Sequence, residues 1–298
     1  MRAMGVALLL LALLLTASNA GLFLQRWMRE HHRDRDTVDS VRLVITMLVT
    51  FAALVLGLLV TASKSGFDRQ AEMIRHFGTR LIELDFRLRE CGPQADPIRA
   101  ALRQYTAAMI ASTWPNEPAP PGDYPSHLVP AAPNSFESGI LTGLFRQAVM
   151  MVDHLKPETP FQARLTPVVA SAMEAALNAR WAMIEGARPT ISSSFLLLLT
   201  LWLVIIFLVF GLASPRNGVI QVVIVLSALS VASSVYLIVD LDSPFDGLLL
   251  VSSQPMRDAL SHMDQGGPAA PTVESVQRDG SLSAAARAPL ASQPTPAC

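Results

Sequence analysis

The sequence has little charge and almost no cysteine. Asp, Glu, Lys and Arg make up 16% of the 298 residues, whereas soluble globular proteins carry about 25%. Cysteine occurs only at Cys91 and Cys298, which excludes a disulfide framework and any C-x-x-C or Cys/His metal spacing. The net charge of -1 lacks the basic surplus that nucleic-acid binding requires, so we expect no nucleic-acid partner. This composition is typical of a membrane protein.

Enzyme signatures are also missing. The sequence contains no Gly-rich phosphate loop, no nucleophile elbow and no Cys–His pair. His31-His32 lies near Asp34 and Asp36, but adjacent helical side chains point about 100° apart and no spaced third ligand follows. We therefore interpret this stretch as a solvated loop, and we expect no enzymatic activity, no metal and no cofactor.

The most prominent feature present is a set of four long apolar runs. About 20 apolar residues, each rising about 1.5 Å in a helix, cross a hydrocarbon core of about 30 Å. The turn-rich linker SPRNG joins the last two runs as an antiparallel hairpin. We predict an all-α membrane protein with four transmembrane helices, in two hairpins within residues 1–63 and 195–264. The four runs are residues 4–24, 43–63, 195–213 and 219–239.

The first run has a second interpretation. Arg2, a leucine core and small residues before Gly21 are typical of a cleaved signal peptide. Apolar residues 22–24 nevertheless continue past the expected cleavage site, and Trp27 follows where interfacial aromatic side chains lie. We interpret the run as a retained helix, with cleavage of residues 1–20 as the open alternative.

Residues 64–194 are predicted to form a helical extramembrane domain between the second and third runs. Gly92-Pro93 ends its first helix, and Asp96-Pro97 begins the next, with Asp96 as the N-cap. Seven of eight heptad positions on the first helix are apolar or thiol, so this seam packs against other helices, and we expect part of it to serve assembly. The seam comprises Phe67, Gln70, Ile74, Phe77, Leu81, Leu84, Leu88 and Cys91.

The rest of this domain alternates extended and helical patterns. Prolines concentrate in a loop at residues 114–133, and helical patterns resume over 137–155 and again after Thr166-Pro167. The tail at 265–298 is rich in Pro, Ala, Ser and Gly and has few large apolar residues, which predicts disorder.

An acidic turn follows the fourth run. Asp240, Asp242 and Asp246 surround Pro244 and partly imitate a calcium-binding EF-hand loop, but the required glycine and final glutamate are missing. We favour a structural role, in which the carboxylates mark the water interface and residues 248–251 lie along the membrane surface or the adjacent domain. A cation or regulatory site is the second interpretation. The third is a set of salt bridges to Lys64, Arg69 and Arg188.

Two of the runs carry small and hydroxyl side chains along one face. Such residues let helices approach closely, and they also suit a narrow pore lined by neutral hydroxyl groups. We favour close packing and retain the pore as the alternative. No ionisable side chain lies inside any run, so cation-coupled transport is not indicated. The residues are Thr50, Gly57 and Thr61 in the second run and Ser227, Ser230 and Ser234 in the fourth.

Two longer stretches resemble a bacterial family of four-span membrane proteins with a bestrophin-like domain. They contain LVLGLLVTASKSGFD (residues 54–68) and LDSPFDGLLLVSSQPMRDAL (residues 241–260). The resemblance covers nearly all of residues 1–264 and implies an anion channel or a channel-related homo-oligomer, with membrane lipid and an inorganic anion as partners. The alternative from another class is a non-conducting scaffold or sensor whose helical domain binds a partner. The bacterial resemblance implies an inner-membrane protein. Lysine and arginine are slightly more frequent near the span ends on the domain side, which favours a cytoplasmic domain.

Overall fold

The computed structural model describes residues 2–25, 35–122, 139–188, 191–214 and 217–264. Helices dominate these residues, and no strand occurs among them, so the all-α prediction is confirmed. Four helices are long and apolar enough to cross a membrane, as the four runs predict. The helices are α1 (Arg2–Leu24), α2 (Arg35–Glu90), α3 (Asp96–Thr113), α4 (Gly139–Asp153), α5 (Pro160–Gly186), α6 (Ser193–Ala213), α7 (Gly218–Leu241) and α8 (Gln254–Asp264).

Helix α2 links the two parts of the molecule. Its 56 residues span about 84 Å at about 1.5 Å per residue, far more than a hydrocarbon core of about 30 Å. The helix passes without a break from the apolar segment at 43–63 into the seam that begins at Phe67. The boundary between residues 63 and 64 is therefore a change of surroundings along one continuous helix.

The membrane bundle consists of α1, α6, α7 and the apolar segment of α2. Helices α1 and α6 touch through their backbones at Gly21 and Gly211. A Cβ atom on Gly21 would lie 2.1 Å from the carbonyl oxygen of Leu208, and one on Gly211 would lie 2.0 Å from that of Ser18. Only glycine fits at these two positions. Retention of the first run stays a prediction, and cleavage of residues 1–20 would remove Ser18 and with it this contact at Gly211.

The extramembrane domain is built around the second half of α2, with α3, α4, α5 and α8 packed about it. From Ile74 to Cys91 the seam residues are at most 1% exposed, so the predicted packing face exists. Its partners are helices of the same chain. The part of the seam from Ile74 onward is covered by its own chain, whereas Phe67 at its start is half-buried. A share of the seam in assembly stays a prediction.

The end of α2 follows the predicted chemistry, whereas the start of α3 differs. Gly92 has a φ of 87°, and its N–H donates to the carbonyl oxygen of Arg89 at 3.0 Å. A short 3-10 turn, Pro93–Ala95, leads into α3, whose N-cap is Ala95. Asp96 lies inside the first turn, where its negative charge complements the helix dipole.

Helix α4 lies within the predicted 137–155 segment, but α5 begins about two turns earlier than predicted. Thr159 caps α5, since its hydroxyl accepts from the N–H of Gln162 at 3.2 Å and the Gln162 side chain accepts from the N–H of Thr159 at 3.1 Å. This capping box starts the helix, and Pro167 is accommodated inside it.

Several predictions fall on residues outside the described ranges. These are the histidine pair with Asp34, most of the proline-rich loop at 123–133, and the tail at 265–298.

Candidate functional site

The acidic turn is organised by Asp240, which is 2% exposed at the end of α7. Its Oδ1 accepts from the N–H of Leu248 at 3.0 Å, and its Oδ2 accepts from the N–H of Leu249 at 3.0 Å. A Cβ atom on Gly247 would lie 2.6 Å from Asp240 Oδ1, so glycine is needed there. The carboxylate folds the loop that follows its own helix.

The other two carboxylates of the turn have different surroundings. Asp242 Oδ1 accepts from the N–H of Ile191 at 3.2 Å, which joins the end of α7 to the chain entering α6. Asp246 is exposed, and its backbone N–H donates to the carbonyl oxygen of Ser243 at 3.2 Å. Among the described residues, no group of three or more His, Cys, Asp or Glu has an arrangement that could hold a metal ion.

Two of the bases considered as partners for this turn form ion pairs on their own helices. Lys64 pairs with Asp68, and Arg188 pairs with Glu185 at 3.2 Å. Both pairs are exposed, where an ion pair contributes about 0–1 kcal/mol.

The loop after α7 is fastened to the end of α3. The indole Nε1–H of Trp114 donates to the carbonyl oxygen of Val251 at 2.7 Å. The Phe245 ring meets the Trp114 ring edge-on, with centroids 6.0 Å apart. The N–H of Val251 also donates to the carbonyl oxygen of Pro244 at 3.0 Å. These contacts join the membrane bundle to the extramembrane domain.

Helix α8 extends this junction. Arg257 pairs with Glu117 at 3.0 Å and donates to the carbonyl oxygen of Pro118 at 2.8 Å. The Ser253 hydroxyl donates to the same Glu117 carboxylate. Sequence reasoning missed Glu117 as a partner, because it lies in the proline-rich loop far from α8 in sequence.

The hydroxyl face of α2 points away from the rest of its own chain. Thr50, Gly57 and Thr61 are exposed, and a Cβ atom on Gly57 would meet no atom within 4 Å. Each threonine hydroxyl donates to its own helix, Thr50 to the carbonyl oxygen of Thr46 at 2.8 Å and Thr61 to that of Gly57 at 2.9 Å. Within one chain, these residues do not form a helix-packing contact.

The serines of α7 are less exposed than the threonines of α2. Ser230 is exposed, while Ser227 and Ser234 are half-buried, and the Ser234 hydroxyl donates to the carbonyl oxygen of Ser230 at 3.1 Å. Ser227 lines a lateral groove of about 580 Å³ between α2, α6 and α7, with Phe207 among its apolar walls. Within a single chain, the hydroxyl residues of α2 and those of α7 therefore do not form one common site.

The chain belongs to a known family by its sequence. The profile of the Bestrophin-like domain matches residues 11–256. This protein is a member of the Bestrophin-like domain family. No curated protein matches the chain in sequence.

Solved structures agree with this assignment at the level of the fold. A bacterial Bestrophin homolog from Klebsiella pneumoniae superposes with a TM-score of 0.58 and 16% identity, covering 87% of this chain and 96% of that chain. A crystal structure of a membrane protein gives a TM-score of 0.59 at 16% identity, with coverage of 87% and 96%. The chain thus shares the overall fold of these structures, and the likeness covers 96% of each of them.

Within the Bestrophin-like domain, sequence reasoning missed a buried arginine. Arg180 is 2% exposed in α5, and its Nε–H donates to the Tyr105 hydroxyl at 3.1 Å while an Nη2–H donates to Thr142 Oγ1 at 3.0 Å. Its guanidinium also lies 5.5 Å from the Phe145 ring centroid. Burial raises the pKa of Tyr105, although the positive charge of Arg180 acts in the opposite direction. The cluster joins α3, α4 and α5, and nothing in the local spacing of Arg180 announces it.

Proposed function

We propose that this protein assembles with copies of itself into a pore that passes inorganic anions through the membrane. The observation that carries the proposal is the uncovered face of α2. Its own chain buries only 11% of the α2 membrane segment, against 28–33% for α1, α6 and α7. Copies arranged around a common axis would place these α2 faces together.

The chemistry of that face suits weak interaction with an anion. Ala52 lies on the side that packs into the bundle, while Thr50, Gly57 and Thr61 lie on the other side. Each threonine has one hydroxyl proton, which it can give to an anion only by releasing its helix carbonyl oxygen. Sites that bind weakly and lie one after another favour conduction over trapping.

We further propose that the protein resides in the bacterial inner membrane, with its extramembrane domain in the cytoplasm. The four candidate spans and the likeness to a bacterial Bestrophin homolog support a bacterial membrane protein. The small excess of lysine and arginine near the span ends on the domain side supports a cytoplasmic domain. Membrane lipid and a second copy of the chain are then the partners of the apolar surface.

Chloride efflux from liposomes that contain the full chain tests the channel proposal. We expect efflux well above that of empty vesicles. Gly57→Trp should remove most of it, because the indole would enter the proposed path. Gly5→Trp is the matched control, since Gly5 also lies exposed in a membrane helix with no atom within 4 Å of an added Cβ.

Efflux at the empty-vesicle level from an intact oligomer would overturn the channel proposal. That outcome would favour the non-conducting scaffold or sensor. Equal loss of efflux in both glycine variants would show that a bulky membrane-facing side chain, wherever it lies, is the cause.

A further inference from the structure

Three consecutive leucines are exposed in the loop between α7 and α8. Leu248, Leu249 and Leu250 are 79%, 42% and 40% exposed, whereas the next residue, Val251, is 3% exposed. The loop therefore has an outer side made of leucine and an inner side that contacts the domain. In water, such a run of exposed leucines would be unfavourable, because burying apolar surface lowers the free energy by about 25 cal/mol per Å².

The leucines are held outward by their backbone. The Asp240 carboxylate accepts from the N–H groups of Leu248 and Leu249 at 3.0 Å each, and Trp114 holds the carbonyl oxygen of Val251 at 2.7 Å. Both ends of the leucine run are thus fixed by buried partners. Turning this stretch of backbone over to bury the leucines would break these hydrogen bonds.

The same hydrogen bonds set the depth of the leucines. Asp240 belongs to the last turn of α7, within the segment Gly218–Leu241 that is apolar enough to span the membrane. Two residues later, Asp242 binds the N–H of Ile191, just before α6 begins at the same end of the bundle. The leucines therefore lie at the level where both helices reach the edge of the hydrocarbon core.

We propose that Leu248–Leu250 form a membrane anchor that inserts into the leaflet on the side of the extramembrane domain. The occupant is lipid because the exposed apolar surface of α6 continues at this level, with Phe195 61% exposed and Leu198 43% exposed. Through Val251 and Trp114, the anchor fixes the domain relative to the bilayer surface. The proposal depends on the membrane-spanning helices and is independent of conduction.

Spin labels on the full chain in liposomes test the anchor. Leu248→Cys, Leu197→Cys and Glu72→Cys are labelled in a Cys298→Ser background, since Cys91 is buried and should remain unlabelled. Leu197 is the lipid control, because it is 74% exposed in α6. Glu72 is the water control, because its side chain is 69% exposed in the domain. Collision rates with oxygen and with a water-soluble nickel chelate are then compared.

We expect the ratio of oxygen to nickel collisions at position 248 to match position 197 and to exceed position 72. A ratio equal to that at position 72 would place the leucines in water and overturn the proposal. Low collision rates with both reagents would show that a second copy covers the leucines, which would also overturn it. Because Leu248 is exposed, Leu248→Cys should leave the fold intact, and Leu249→Cys provides a second reporter with the same expected ratio.

Discussion

The membrane half of α2, up to residue 63, and the domain half, from residue 64 to 90, have different surroundings. In the domain half, the seam from Ile74 to Cys91 is at most 1% exposed within one chain. In the membrane half, among residues 43–63, whose side chains the structure describes, only Ala52 and Ser63 are buried. Thr50 and Gly57 face away from the chain. One continuous helix is thus covered by its own chain along the seam of the domain half and largely uncovered in the membrane half.

The difference shows where the chain can meet a partner. Water forces the domain half to bury its leucines, because exposed apolar surface is unfavourable there. The membrane half is under no such pressure, since lipid solvates an apolar helix face, and association there depends on close packing. Along α2, the apolar surface available to lipid or to other copies is therefore mainly in the membrane half.

The largest expected effect comes from Leu81→Asp in the domain half. Leu81 is fully buried, and an uncompensated buried charge costs about 3–5 kcal/mol. We expect the domain to unfold, measured as lost helicity and a lowered melting temperature in detergent. Phe86→Asp is the matched control, because Phe86 is 52% exposed on the same helix. Equal melting temperatures for the two variants would contradict the account.

The next largest effect is on stability, when one glycine in each half of α2 is replaced by alanine. A Cβ atom on Gly78 would lie 2.9 Å from the carbonyl oxygen of Pro255 in α8, so Gly78→Ala should destabilise the chain by about 1–3 kcal/mol. Gly57→Ala has open space and should be neutral or stabilising by up to about 1 kcal/mol. The two melting temperatures check this, and the reverse order would refute the contrast between the halves.

The junction between the membrane bundle and the extramembrane domain is tested through Asp240, at the end of α7. Asp240→Ala leaves the N–H groups of Leu248 and Leu249 without their acceptor, which should cost about 1–3 kcal/mol. Asp246→Ala, at an exposed position, should change stability by less than about 0.5 kcal/mol.

Calcium distinguishes the two interpretations of the same turn. We expect no change in melting temperature on adding calcium, because the carboxylates serve backbone N–H groups. A calcium-dependent rise that Asp242→Asn removes would establish a cation site instead.

The smallest expected effect concerns the reactivity of the Cys91 thiol, just after the end of α2. Burial, assisted by the negative charge of Glu90, raises the pKa of the Cys91 thiol. Since the thiolate is the reactive form, Cys91 should resist a maleimide at pH 8 in folded protein and react after denaturation. A Cys298→Ser variant isolates this signal. Rapid labelling of the folded chain would show that the seam opens.

Sequence patterns were sufficient where one physical rule dominates locally. Length and apolarity alone locate the four spans, and heptad spacing locates the seam, because burial follows helical periodicity. The turn at Gly92 follows from the left-handed backbone that glycine permits. In each case, the deciding information lies within a few residues.

The remaining features depend on partners that are distant in sequence. Nothing near Gly21 shows that Leu208 will approach it, and nothing near Glu117 shows that Arg257 will pair with it. Pro167 predicts a helix start, but the capping box at Thr159 begins the helix earlier. Asp242 stands in an apparent ion-binding pattern, and its acceptor role depends on the distant N–H of Ile191.

Reactivity of two introduced cysteines tests the central claim that the free face of α2 surrounds an aqueous path. Thr50 and Leu226 are both exposed in membrane helices of the single chain. In liposomes, we predict that a charged, water-soluble thiosulfonate modifies Thr50→Cys and reduces chloride efflux. Leu226→Cys should remain unmodified, because lipid covers it. Equal protection of both cysteines, with efflux unchanged, would contradict the account.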